Sequence, residues 1–126
     1  MILSHVGLVC ASEKNADRFY IGLLGLEKAA PKILPAEISR ALFNMDSELT
    51  VIKYTRGSVV FEIFIDASAK AAPDKIDHAC LAVDDLDAFL TRCKAMNAPV
   101  IQVPKGGKIV TFVSDFDGNR FEITGG

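Results

Sequence analysis

The 126-residue chain contains two histidines, and each opens a segment that a glutamate closes. His5 lies in ILSHVGLVC and Glu62 in VVFEIFI; His78 lies in KIDHACLAV and Glu122 in NRFEITG. The tripeptide FEI thus occurs twice, each time placing a carboxylate among strand-forming neighbours. Strand side chains alternate between faces. Glu62 therefore shares a face with Val60 and Phe64, His5 with Leu3, Gly7 and Val9, and His78 with Ile76, Cys80 and Ala82. Glu122 goes with Arg120 and Thr124, a more polar set. A carboxylate buried without a partner is costly, so partners are expected. The simplest joint explanation is that His5, Glu62, His78 and Glu122 converge. Two imidazoles and two carboxylates form a mixed N/O set suited to Zn, Ni, Co, Mn or Fe(II), and in an octahedral field they leave two positions for water or substrate.

Each residue also has an ordinary structural reading. A single His on an apolar strand commonly satisfies a local hydrogen bond, and a single strand Glu commonly sits at an edge or in an ion pair. Glu122 could pair with Arg120, its neighbour on the same face. What points to chemistry is the fourfold coincidence at repeat-matched positions. Cys80, on the face of His78, reads as a small packing residue that could also line the site or join the ligands; Cys10, of opposite parity to His5, reads as structural. Lys105 and Lys108 flank Gly106 and Gly107 in PKGGK, a solvated turn that lacks the upstream Gly and following Ser or Thr of a phosphate-binding loop. DFDGN places Gly118 too early for a calcium-binding EF-hand loop and reads as a turn before the last strand.

The elements that must position these residues come in two related sets. After His5, SEKNADRFYIGLL reads as a helix with Ser12 as N-cap and Ala16, Phe19, Tyr20 and Leu23 on one face. After His78, DDLDAFLTRCKAMN reads as a helix with Leu86, Phe89, Leu90, Cys93 and Met96 at helical spacing. Gly25 and Asn97-Ala98-Pro99 supply the stops. The first His-to-Glu span is the longer, and PAEISRALFNM accounts for the difference as an extra short helix, with Pro35 near N1 and Ile38, Ala41, Leu42 and Met45 on one side. SELTVIKYTRGSVVFEIFI then gives two strands around an Arg56-Gly57 turn. PVIQV, KIVTFVS and NRFEIT give three strands in the second half, and Pro31 demotes a strand near KAAPKI toward a sheet edge. The predicted order is βα(β)αββ followed by βαβββ, an α+β chain of one domain (residues 1–126) with modules at about 1–67 and 75–126.

Length, composition and charge bound the function. The chain is long enough for one domain with a core, and half its residues are hydrophobic. A net charge of -2 argues against a nucleic-acid or membrane-surface partner, which would call for a basic face. No apolar run approaches the length of a spanning helix, and MILSHVGLVCASEK lacks the basic region and cleavage site of a signal peptide. Three cysteines without CxxC spacing read as reduced thiols, which points to a cytoplasmic protein.

At these residues the chain resembles the vicinal oxygen chelate superfamily, the group of glyoxalase I, methylmalonyl-CoA epimerase, extradiol dioxygenases, and the fosfomycin and bleomycin resistance proteins. The resemblance covers essentially the whole chain and rests on SHVGLVC followed by ADRFYIGLLGLE, on FEIF, on DHACLAVDDLDAF and on KIVTFVSDFDGNRFEI. It implies two βαβββ modules whose curled mixed sheets form a metal-holding cup, with substrate bound through two neighbouring oxygens. The family's four ligand positions fall on His5, Glu62, His78 and Glu122. A His/Glu/His/Glu set is similar to that of glyoxalase I; dioxygenases and fosfomycin enzymes use three ligands, and epimerases often carry Gln at the place of Glu62. Two positions depart from glyoxalase I and weigh against glutathione: Val9 replaces a glutathione-contacting Arg, and Asp66 replaces an Asn. Lys105, Gly106 and Gly107 resemble the family's glycine-rich substrate loop.

The resemblance implies a metal-dependent lyase or isomerase of glyoxalase type. A divalent metal stabilises the enediolate of a small substrate with vicinal oxygens, while Glu62 or Glu122 transfers the proton. The alternatives are an epimerase-like or Fe(II) dioxygenase-like enzyme, or a non-catalytic small-molecule binder. The expected assembly is a homodimer, with ligands from one subunit or two.

Overall fold

The protein is described by a computed structural model covering residues 1–72 and 74–126. The chain divides into two compact units, Met1–Ala69 and Lys70–Gly126. Each has a mixed sheet with one parallel and otherwise antiparallel pairings, covered on one face by helix.

In the first unit, β1 (Val6–Cys10) leads into α1 (Glu13–Ala16), which continues as a π-helical segment, Asp17–Leu23. Ser12 caps the start by accepting from the Asn15 N–H at 3.1 Å. Ala16, Phe19, Tyr20 and Leu23 are all buried, as their spacing predicts. The widened turn has a packing reason. Phe19 and Tyr20 are adjacent and both must be buried, and a π turn sets adjacent side chains closer in angle than an α turn does. Tyr20 then stacks against Tyr54 and Phe61 at centroid distances of 5.4 and 5.6 Å.

The edge strand is split by Pro31 into β2 (Glu27–Lys28) and β3 (Lys32–Leu34), both pairing with β4 (Leu49–Arg56). Proline has no N–H for the ladder, so the break falls where the sequence puts it. β5 (Val59–Ile65) lies between β4 and β1, antiparallel to the first and parallel to the second, giving the order β1-β5-β4-β2 with β3 also on β4. Ile52, Tyr54, Phe61 and Ile63 point into the core. The β4–β5 turn sits one residue later than the sequence suggests. Arg56 still pairs with Val59, so Gly57 and Ser58 turn, and Gly57 supplies the positive φ of 58° that a tight hairpin needs.

The extra helix, α2 (Ala36–Phe43), starts at Pro35 and ends at Asn44 in a left-handed conformation, φ 55°. Its apolar side stays outside the core. Ile38, Ala41 and Leu42 remain exposed, Met45 is half-buried, and Ser39 is the buried residue. The core face of the sheet is already occupied by α1 and the π-helical segment, so α2 is left with the outer face.

The second unit runs β6 (His78–Val83), α3 (Leu86–Ala95), β7 (Val100–Lys105), β8 (Lys108–Ser114) and β9 (Arg120–Gly125), in the order β6-β9-β8-β7. Asp85 caps α3 by accepting from the Ala88 N–H at 2.9 Å. Phe89 and Cys93 pack inward with Thr111, Val113, Phe121 and Ile123, and burial pushes the Cys93 thiol pKa up. The β7–β8 turn is Gly106-Gly107 alone, both at positive φ. Before β9, buried Asp115 accepts from the backbone N–H groups of Asp117 and Asn119 at 2.9 Å each, and from Asn119 Nδ2 at 2.7 Å. The two units repeat one plan, βαβββ, with α2 inserted in the first. Among the described residues no helix is long and apolar enough to cross a membrane.

Candidate metal site

The parallel strand pair of each unit carries one His and one Glu at the same offset. In the first, Glu62 of β5 is registered with Gly7 of β1, and His5 stands two residues before Gly7. In the second, Glu122 of β9 is registered with Cys80 of β6, and His78 stands two residues before Cys80. Alternation puts both residues of each pair on the outer face of their sheet, opposite the helix-covered core. The side chains meet there: His5 Nε2 lies 3.3 Å from Glu62 Oε1, and His78 Nε2 lies 3.7 Å from Glu122 Oε2.

The surroundings of the two pairs differ. Glu62 is the most enclosed of the four at 19% exposure, and its second oxygen faces Lys53 Nζ at 3.6 Å. Lys53 is the residue of β4 registered with Glu62. In the second pair, His78 Nδ1 is 2.7 Å from the carbonyl oxygen of Ile76. A carbonyl only accepts, so Nδ1 carries the proton, and in the neutral ring Nε2 presents its lone pair toward Glu122. Metal-ligating histidines use the same arrangement, the second nitrogen donating to a carbonyl that fixes tautomer and ring orientation. Phe112 holds the ring edge-to-face at 4.9 Å. Arg120, offered by the sequence as a partner for Glu122, donates its guanidinium to the Lys75 carbonyl.

The donors suit a divalent metal in type: imidazole nitrogens and carboxylate oxygens, aimed at one another and open to approach. Within neither unit, among the described residues, does a third His, Cys, Asp or Glu complete a cluster, so each site consists of one His–Glu pair. Cys80 shares the outer face and is exposed, but joins no such group. Lys105, Gly106 and Gly107 form the exposed tip of the β7–β8 hairpin.

A cavity of about 520 Å³ adjoins the first pair. His5, Gly7, Glu62, Phe64 and Val51 form its floor on the outer face of the sheet, and β3 and the C-terminal end of α2 form its sides. Sequence reading missed Lys53, the Ile76 carbonyl and this cavity. The period-2 pattern that grouped His5 with Gly7 would have found Val51 and Lys53 once the β4–β5 register was fixed.

Comparison with known proteins agrees with this architecture. No curated protein sequence matches the chain significantly. Among solved structures, a glyoxalase family protein from Enterococcus faecalis superposes with a TM-score of 0.72 at 21% identity, covering 97% of this chain and 95% of that one. The trypanothione-dependent glyoxalase I of Leishmania major gives 0.77 at 17% identity, covering 99% and 86%. A variant of the fosfomycin resistance protein FosX from Listeria monocytogenes, solved with Mn(II) and 1S,2S-dihydroxypropylphosphonic acid, gives 0.74 at 16% identity, covering 100% and 92%. At these identities the likeness is one of fold. Residues 4–112 match the family described as the Glyoxalase/Bleomycin resistance protein/Dioxygenase superfamily, and the chain belongs to it.

Proposed function

We propose that His5, Glu62, His78 and Glu122 together hold one divalent metal ion of the Zn, Ni, Co, Mn or Fe group, and that the protein is a lyase or isomerase of glyoxalase type. The observation that carries this reading is the repeated offset: in both units His and Glu side chains face each other across the parallel strand pair, within 3.3 and 3.7 Å. The four ligands come from one chain or from two copies in a homodimer. A second copy is favoured by the β7 edge, where Ile101 and Val103 are exposed on one face.

When bound, the ion supplies Lewis acidity toward two neighbouring oxygens of a small substrate. The chain's own residues do the rest. Glu122, at 34% exposure and farther from its histidine, is the freer carboxylate and takes the proton from the carbon beside the substrate carbonyl, returning it to the adjacent carbon. Glu62, held between His5 and Lys53, keeps its position as ligand. Such a 1,2-proton shift needs no electron carrier. Lys105 and the Gly106-Gly107 tip offer a cation to an anionic group on the substrate.

The test is metal binding followed by activity. Equilibrium dialysis of the wild type should show one divalent ion per four-ligand set, and His5→Ala and His78→Ala should each weaken it by at least tenfold. Metal-dependent turnover of hemithioacetals made with varied thiols completes the reading. Unchanged metal affinity in both variants would sink it, while Fe(II)-dependent oxygen consumption would move the protein to the dioxygenase branch.

A further inference from the structure

The cavity beside His5 and Glu62 has a composition that selects among substrates. Apart from those two residues and Lys32, its lining among the described residues is apolar: Ile33, Leu34, Leu42, Phe43, Val51 and Phe64, with Gly7 at the floor. Phe43 of α2 meets Phe64 of β5 edge-to-face at 5.3 Å and 71°, so the two rings make an aromatic corner two residues along the strand from Glu62. Phe43 and Leu42 are 48% and 65% exposed, and these two side chains of α2 face the cavity instead of the core. At about 520 Å³ the space lies in the range of small-molecule pockets and far exceeds what a methyl substituent would fill. A thiol tripeptide with several charges would find one cation, Lys32, in the lining.

We propose that this cavity receives an apolar, aryl-sized substituent carried next to the chelating oxygens, so that the substrate is a 2-oxo or 2-hydroxycarbonyl compound with an aromatic or branched apolar group. This rests on the metal reading above for the placement of the oxygens, and on the cavity alone for the substituent. Phe43, Leu42 and Phe64 set the specificity: they enclose the ring, and edge-to-face contact with Phe64 orients it.

Benzohydroxamate and acetohydroxamate present the same two oxygens to a metal and differ in phenyl against methyl. Titrated calorimetrically into the Ni-loaded full chain, benzohydroxamate should bind about tenfold more tightly. Phe43→Ala should remove most of that advantage and leave acetohydroxamate unchanged; Leu42→Ala, at a more exposed site, gives the same reading if Phe43→Ala fails to fold. Equal affinities in the wild type, or equal losses for both ligands in the variants, would overturn the proposal. If the protein takes up no metal, the metal reading fails by itself and the cavity is read by fluorine NMR with 4-fluorobenzoate and the metal-free chain. Line broadening that Phe43→Ala abolishes upholds the aryl site, and its absence in the wild type overturns it.

Discussion

Lys53 stands directly across the β4–β5 ladder from Glu62, its Nζ 3.6 Å from the carboxylate oxygen that does not face His5. Glu62 is thus shared between a proposed ligand partner and a cation. A divalent ion arriving at His5 and Glu62 must compete with that cation for the same charge. Lys53→Met should therefore raise metal affinity, by about two- to fivefold given the modest strength of a half-exposed ion pair. Competition against a chromophoric chelator measures it. A fall in affinity would mean that Lys53 holds Glu62 in its ligating position, and would reverse the argument.

The Ile76 carbonyl fixes a proton on His78 Nδ1. Long-range proton–nitrogen NMR spectra of the metal-free protein should show His78 with Nδ1 protonated and Nε2 bare at a pH where the ring is neutral. Observation of the Nε2–H tautomer would remove Nε2 as a donor to metal in this geometry. His78→Gln, which keeps an amide but loses the imidazole lone pair, should weaken metal binding about as much as His78→Ala does.

The core of the first unit carries its own pH response. Tyr54 is fully buried, and its hydroxyl donates to Asp17 Oδ1 at 2.7 Å, while Lys28 donates to Asp17 Oδ2 at 2.9 Å. Burial first, and the Asp17 hydrogen bond and charge second, push the Tyr54 pKa far above the ordinary phenol value. The Asp17 hydrogen bond likewise raises that of Lys28. Both groups hold their protons more tightly folded than unfolded. Their contribution is therefore complete below about pH 10, where unfolded Tyr and Lys begin to titrate, and is lost as pH rises beyond it. Urea unfolding from pH 8 to 11 should show stability falling above about pH 10, with a shallower fall in Tyr54→Phe. At pH 8 the same variant should lose about 1 kcal/mol, the worth of a hydrogen bond to a charged group offset in part by retained packing.

Much of this was legible in residue pattern because the deciding forces are local. The order of elements, the Ser12 cap, the edge position of the strand around Pro31 and the inward set Ala16, Phe19, Tyr20 and Leu23 follow from periodicity and turn chemistry. Parity and repeat singled out His5, Glu62, His78 and Glu122 as one group, and the structure shows them as two His–Glu pairs. Lys53 was not legible, because register hangs on the turn. With Arg56-Gly57 as the turn residues Glu62 would oppose Val51; with Gly57-Ser58 it opposes Lys53. The packing of α2 was also hidden. The sequence groups Ile38, Ala41, Leu42 and Met45 on one side, but of these only Leu42 lines the cavity, joined by Phe43 from outside that group.

Gly118 tests how the second unit holds β9, and with it Glu122, in place. It lies in the turn organised by Asp115, at φ 88°, and a Cβ there would fall 2.5 Å from the Cβ of Ala71. Gly118→Ala meets two costs, a left-handed backbone disfavoured for a side chain and a steric clash, together about 2–4 kcal/mol. The costs separate in a double-mutant cycle. Ala71→Gly removes the opposing methyl, so adding it to Gly118→Ala should recover the steric part and leave about 1 kcal/mol of backbone strain. Denaturant unfolding of wild type, both single variants and the pair measures the coupling. Strict additivity of the two substitutions would show that the segment around Ala71 does not press on the turn, and the whole loss would then belong to the backbone of residue 118.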